Sequence, residues 1–229
     1  MLTVKWFKFR LLSKPCPENA QHPRPILLMG TLYLIVASTL WGILHSLLAS
    51  HAVKDAARRA FGPASDRLFR FSYNVFSVAS FFPIFLMLFT FPDQPLYTIP
   101  EPWVYISVLI QGAAFFALVA GVMQTGPLEF AGLTQLAGLQ PETAPKLVTD
   151  GLYAYVRHPL YTAGLAFLWA WPDMTINRLA VWVVFSLYFL IGAWFEERKL
   201  LKEFGEEYAA YQARTPMFLP GIKFNVERK

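Results

Sequence analysis

The chain has 229 residues, 55% of them hydrophobic and only 15% charged, with a formal net charge of +5. Soluble domains carry about 25% charged residues, so this balance excludes an ordinary soluble domain and points to a membrane protein. A single cysteine, Cys16, excludes an intramolecular disulfide framework and any cysteine-built zinc or iron–sulfur site, and four histidines without ligand spacing argue against a metal centre.

Residues 1–25 form a basic tail with Lys5, Lys8, Arg10, Lys14 and Arg24. It lacks the apolar h-region and small-residue cleavage site of a secretory signal, and it is not Ser-rich like a transit peptide. It reads as a surface-lying extension ended by Pro23 and Pro25. The basic excess suits anionic lipid headgroups. No nucleic-acid motif accompanies it, and nothing in the chain marks an obligate protein partner.

Three uncharged or nearly uncharged runs follow: Ile26 to Leu48, with only His45 ionisable, then Phe71 to Phe91 and Trp103 to Met123. Each exceeds the roughly 18 residues at which a spanning helix is the default reading. A fourth block, Tyr161 to Phe195, is too long for one helix and is broken at Trp171-Pro172-Asp173, so it reads as a hairpin of two. Between the third and fourth blocks, Gln124 to Arg157 is rich in Gly and Pro yet too apolar for disorder, which predicts a re-entrant or surface-lying cap. Beyond Phe195 one helix should continue from Glu196 to Gln212. Its apolar stripe, Leu201, Phe204, Tyr208 and Tyr211, suits a lid.

The fold expected is all-α, a polytopic membrane bundle of about five transmembrane helices with a C-terminal cytoplasmic helix covering a pocket. One integral-membrane domain, 26–221, lies between the tail and residues 222–229. Lys and Arg number five in 49–71, two in 124–159 and seven from Glu196 on, against five in the N-terminal tail and none in 92–102. The positive-inside rule then places the N-terminus outside and the C-terminus in the cytoplasm, as for a protein of the bacterial inner membrane.

Two polar clusters flank the hairpin. Gly151 to Tyr161 contains Tyr153, Tyr155, Arg157, His158, Pro159, Leu160 and Tyr161. Pro159 suits the first turn of a helix, with His158 at the cap and the free N–H groups ready for an anionic group. Arg157 adds a charge with bidentate geometry. The bland alternative is a snorkelling arginine in an aromatic belt. On the far side stand Glu196 and Glu197, about 100° apart on a helix, so at least one should face the bundle. The alternative there is a solvated helix-end pair matched to Arg198 and Lys199. Together the clusters offer donors for a carboxylate, carboxylates for an amine or ribose, and aromatic faces for a sulfonium or purine.

The run Leu147 to Tyr153, then Arg157 to Gly164, resembles the cofactor motif of the isoprenylcysteine carboxyl methyltransferase and phospholipid methyltransferase superfamily of integral-membrane enzymes. So does Glu196-Glu197 with Leu200, Phe204 to Tyr208, Tyr211 and Pro216. The resemblance covers roughly residues 144–221. It implies that Lys146, Leu147, Val148, Tyr153, Arg157, His158, Pro159, Leu160 and Tyr161 hold S-adenosylmethionine, with no metal. It also implies that Glu196 lies on the acceptor side, with Glu197 beside it as a second candidate catalytic carboxylate. Eukaryotic prenylcysteine enzymes place an arginine one turn before the first Glu; here that position is Gly192, which argues against a prenylcysteine carboxylate. His45-Ser46 to Ser50, Lys54, Arg70 and Tyr73-Asn74 resemble methanethiol S-methyltransferase-like and NnrU-like members. The acceptor implied is a small or lipophilic thiol, ahead of a prenylcysteine or phospholipid amine. His45 would assist deprotonation or line the pocket, or simply bond a backbone carbonyl at a helix end. The rival reading is an NnrU-like haem-binding membrane isomerase or reductase-associated protein with His45 as axial ligand.

Overall fold

The computed structural model describes residues 24–124, 126–139 and 146–221. The basic tail up to residue 23, Cys16 and residues 222–229 lie outside these. Among the described residues, four helices are long and apolar enough to cross a membrane: α1 (Arg24–Leu48), α3 (Ser65–Thr90), α4 (Trp103–Gln124) and α8 (Ile176–Phe204). Their apolar surface is mostly turned outward; Leu28 of α1 and Leu109 of α4 are more than 70% exposed. That is the pattern of a bundle solvated by lipid rather than water. The protein is an all-α membrane helix bundle.

Packing follows short stripes of small residues. The buried positions of α1 are Gly30, Leu34, Ser38 and Gly42, spaced by four, so they fall on one face. A Cβ at Gly42 would stand 3.0 Å from the Tyr188 ring of α8, which shows how closely α1 and α8 approach. On α4 the buried Ser107, Ala114 and Gly121 recur every seven residues and face α7 (Pro159–Trp169). There a Cβ at Gly121 would stand 2.6 Å from Leu160. The apolar core gathers Leu34, Ile84, Met174, Val181, Trp182 and Phe185.

At the far end of the bundle from the clusters, β1 (Pro95–Thr98) and β2 (Asp173–Thr175) form an antiparallel ribbon, with Pro95 opposite Thr175 and Thr98 opposite Asp173. Asn177, 1% exposed, accepts from Thr31 Oγ1 at 2.6 Å and donates to the Pro92 carbonyl at 3.2 Å. The backbone N–H of Asn177 donates to Asp93 Oδ1 at 3.0 Å. Three chain segments are thereby tied together at that end.

Three expectations change in detail. The hairpin is present, but its first arm, α7, has 11 residues. Such a helix is about 16 Å long, roughly half a hydrocarbon core of about 30 Å. Four full-length spans and one half-length helix therefore replace the expected five. The cap after α4 is two short helices, α5 (Pro127–Ala131) and α6 (Leu133–Leu136), joined at Gly132, whose left-handed φ of 80° lets the chain turn. Finally, the C-terminal helix is not continuous. Gly205, at φ 53° and ψ −125°, ends α8 and starts α9 (Glu206–Arg214). That conformation is open to glycine and costly for other residues, so α9 turns back toward the start of α7. Between α1 and α3 lies α2 (His51–Phe61), capped by Ser50, whose hydroxyl accepts from Val53 N.

Candidate active site

The 29 residues of α8 make a helix of about 43 Å, longer than the hydrocarbon core, so its last turns emerge at the membrane face. Glu196 and Glu197 sit on that emerging part. Across from them, Pro159 opens α7 with His158 at its cap. The C-terminal segment crosses over this turn. Arg157 N donates to the Pro216 carbonyl at 2.9 Å, His158 N to Met217 at 3.1 Å, and Thr162 Oγ1 to Phe218 at 3.0 Å.

Glu197 is the centre of a dense network. Arg157 reaches it with two parallel bonds of 2.9 Å, Nε to Oε1 and Nη2 to Oε2. His158 Nε2 and the Tyr208 hydroxyl each lie 2.7 Å from Oε1, and Gln212 Nε2 donates to Oε2. Tyr208 and Gln212 are four apart on α9, hence on one face; the break at Gly205 aims that face at Glu197. Arg157 Nη1 also donates to the carbonyls of Gln212, at 3.2 Å, and Thr215, at 2.5 Å. One buried carboxylate thus joins the start of α7, the end of α8 and all of α9. Arg157, with a side chain 11% exposed, is no snorkelling anchor. Tyr155 alone of the three tyrosines is turned outward.

Glu196 points elsewhere, as the 100° step requires. Its side chain is 45% exposed and touches His158 Nδ1 at 3.6 Å. Burial alone would lower the imidazole pKa, but the bonds and charges of Glu196 and Glu197 outweigh it and hold His158 above its ordinary value. The Tyr208 phenol is pushed up by burial and by its bond to Glu197. Tyr211 is pushed up to about 12, chiefly by burial, and donates to the Tyr153 carbonyl at 2.6 Å. Burial, then the Glu196 charge, raises Tyr153 as well. All three stay neutral donors at physiological pH.

Beside this network lies a cavity of about 400 Å³ whose wall includes Lys146, Leu147, Val148, Tyr153, Arg157 and Glu196. The structure therefore gathers six of the residues singled out from sequence onto one surface. Arg70 of α3, Leu200, Glu203 and Phe204 of α8 and Tyr208 and Tyr211 of α9 complete it. His158 is 5% exposed and Pro159 is also buried; both lie behind the wall. Leu160 packs on α4 at Gly121. Tyr161 is stacked between His158 and Phe189, with centroids 5.5 and 5.6 Å away, and its hydroxyl interacts with Glu196. Sequence reading missed Gln212 as a partner of Glu197, although its i, i+4 spacing from Tyr208 was a usable signal. It also missed Glu203 on the cavity wall.

His45 is not on this wall. It lies within the bundle, bonded to the side chains of Ser77 and Tyr73 rather than to a backbone carbonyl.

The geometry can be set beside known proteins. Methanethiol S-methyltransferase 1 of Bradyrhizobium diazoefficiens is 27% identical over 190 residues, 81% of this chain and 65% of that protein. Methanethiol S-methyltransferase of Pseudomonas deceptionensis is 42% identical over 77 residues, 34% of this chain and 29% of that protein. Protein-S-isoprenylcysteine O-methyltransferase of Schizosaccharomyces pombe is 38% identical over 81 residues, 33% of this chain and 34% of that protein. The chain thus spans less than two thirds of the length of these relatives. No solved structure matches. The family model described as NnrU protein matches residues 33–219, and the chain belongs to that family.

Proposed function

We propose that this chain is an S-adenosylmethionine-dependent membrane methyltransferase whose acceptor is a small or lipophilic thiol, with residues 26–221 as the working unit and 144–221 as its cofactor part. What supports this most is the composition of the cavity wall. Lys146 and Arg70 offer cations for a carboxylate, Glu196 an anion for an ammonium or ribose hydroxyl, and Tyr153 and Tyr211 aromatic surface for a sulfonium or purine. About 400 Å³ falls within the range of small-ligand sites, roughly 300–1,000 Å³, so the residues present fit the cofactor. When bound, the cofactor supplies an electrophilic methyl group on sulfur, and no metal is required.

The chain's own residues bind, orient and exclude water. Glu197, saturated by Arg157, His158, Tyr208 and Gln212, holds the α9 lid closed and takes no proton. Glu196, half-exposed on the wall, meets the ligand, and its interaction with Tyr161 links the wall to the interior of the bundle. Relatives named for methanethiol and for protein isoprenylcysteine suggest sulfur-bearing acceptors. Gly192 stands where prenylcysteine enzymes carry an arginine, so the site lacks that cation for a prenylcysteine carboxylate. The site end of the bundle carries Lys54, Arg58, Arg59, Arg67 and Arg70, so it faces the cytoplasm and the N-terminus lies outside, in a bacterial inner membrane.

The test is calorimetric titration of detergent-purified protein with S-adenosylmethionine, followed by incubation of the methyl-labelled donor with thiols, prenylcysteine analogues and phospholipids. Saturable binding, weakened about tenfold or more in Lys146→Ala by loss of a charge-assisted contact worth about 1.5–3 kcal/mol, and label in a thioether are expected. No binding overturns the reading. The haem alternative would need His45 Nε2 as ligand, yet that nitrogen lies 2.6 Å from the Tyr73 hydroxyl; a Soret band in the purified protein would restore it.

A further inference from the structure

Away from the cavity, α1, α3 and α8 bring together polar side chains in the bundle interior. His45 Nδ1 lies 3.0 Å from Ser77 Oγ and 3.2 Å from the Tyr73 hydroxyl, which comes closer, to 2.6 Å, at Nε2. The Ser77 hydroxyl gives its only proton to the Tyr73 carbonyl at 2.7 Å, so toward His45 it can only accept. Nδ1 therefore carries the ring proton, and Nε2 of the neutral ring accepts from Tyr73. Trp41 stacks on the ring at 4.8 Å, and its own Nε1 donates to the Ser77 carbonyl and to Ser80 Oγ, at 3.2 and 3.1 Å. Tautomer and orientation are both held.

From His45 a line of rings runs back to the site. The Tyr188 ring of α8 lies 6.1 Å from that of His45, and the neighbouring Phe189 stacks on Tyr161 at 5.6 Å, where Tyr161 interacts with Glu196. Tyr188, Gly192 and Glu196 are four apart on α8 and share a face. A Cβ built at Gly192 would have, among the described residues, only the Tyr161 hydroxyl within 4 Å, at 3.8 Å. Gly192 thus leaves open space in the middle of this line.

We propose that the space over Gly192 receives the acceptor thiol and that Tyr73 and His45 form the relay that removes its proton. This rests on the thiol methyltransferase reading. The thiol proton passes to the Tyr73 oxygen as the phenol's own proton passes to His45 Nε2, and the S–H electron pair stays on sulfur as thiolate. His45 becomes an imidazolium whose Nδ1–H bonds Ser77 and whose Nε2–H bonds Tyr73. The thiolate pair makes the new bond to the methyl carbon, the old carbon–sulfur pair remains on the donor sulfur, and the relay proton returns to water as the ring resets. Glu197 cannot do this work, because every lone pair facing its partners is taken.

The first measurement is nitrogen-15 NMR of histidine-labelled protein in lipid nanodiscs, without donor or thiol. His45 should be neutral, with the proton on Nδ1 and Nε2 accepting a bond, and Tyr73→Phe should move the Nε2 signal. A proton found on Nε2 overturns the relay. The second compares methylation of an alkyl thiol with that of a more acidic aryl thiol, in wild type, Tyr73→Phe and His45→Gln, with donor affinity measured for each. A relay predicts about a 100-fold loss on the alkyl thiol, the low end of general acid–base contributions, a far smaller loss on the aryl thiol, and unchanged donor affinity. Equal losses on both thiols, or no loss, overturn it. Wild type that binds donor yet methylates neither thiol refutes the thiol reading and the relay with it, whereas failure of donor binding refutes the methyltransferase reading itself.

Discussion

Glu197→Ala tests whether the buried carboxylate locks the lid. The substitution leaves Arg157, whose side chain is 11% exposed, and His158, at 3%, without their shared counter-charge. Removing one partner of a buried ion pair costs about 3–5 kcal/mol, because a desolvated charge is left uncompensated. The exposed pair Arg58–Asp66, at 3.5 Å with side chains 62% and 33% exposed, is the internal comparison; such pairs contribute about 0–1 kcal/mol. For a chain of this length each kcal/mol moves Tm by about 2–4 °C. Glu197→Ala should therefore lower Tm by about 6–20 °C, against about 4 °C or less for Asp66→Ala, read by tryptophan fluorescence in one detergent. Limited proteolysis should also become faster between Gly205 and Phe218, since α9 loses Tyr208 and Gln212 as anchors. Equal shifts in the two variants, with no change in cleavage, would refute the assignment of Glu197 as the lock.

Two more predictions follow from the same region. Because the folded protein holds the His158 pKa above its ordinary 6.5, the stabilisation from its pairing is complete below pH 6.5 and is lost as pH rises through the raised value. Tm should fall across that window in wild type, and His158→Gln should flatten the fall; parallel curves would contradict it. At Gly205, φ 53° and ψ −125° suit glycine alone, so Gly205→Ala should cost about 1–3 kcal/mol and show as a drop in Tm with faster cleavage of α9; an unchanged melt would contradict it.

The legible parts of this protein are those written in local pattern. Long runs with few or no charges located α1, α3, α4 and α8 because a lipid-facing helix needs no polar residue over its length. The Trp171-Pro172-Asp173 break located the turn of the hairpin. What pattern could not show was length against the bilayer: α7 ends at Ala170, whose carbonyl accepts the Ser107 hydroxyl of α4, a contact 63 residues distant in sequence. The β1–β2 ribbon was hidden for the same reason, being set by pairing between remote loops. Gly205 was visible as a residue, but its backbone conformation depends on what Tyr208 and Gln212 gain by folding back. At the site, Lys146 to Val148 and Tyr153 were found by motif. The partition of roles between Glu196 and Glu197 required the geometry, since adjacent identical residues carry no difference in sequence.

That partition explains why the two carboxylates belong together. The proposed function asks the site to accept a charged ligand from water and a lipophilic one from the bilayer, while keeping water from the reacting atoms. One step of 100° along α8 divides these tasks. Glu197 turns toward Arg157 and α9, and its bonds tie α9 to the start of α7. Glu196 turns toward the cavity on one side and toward Tyr161 on the other. Tyr161 is itself clamped between His158 of the lock and Phe189. Opening the lid would therefore disturb the same aromatic stack that borders the space over Gly192. Under the proposed function, lid and acceptor side join through His158 and Tyr161, and the Arg157-His158-Pro159 cluster would couple closure over the charged ligand to order in the apolar half of the site.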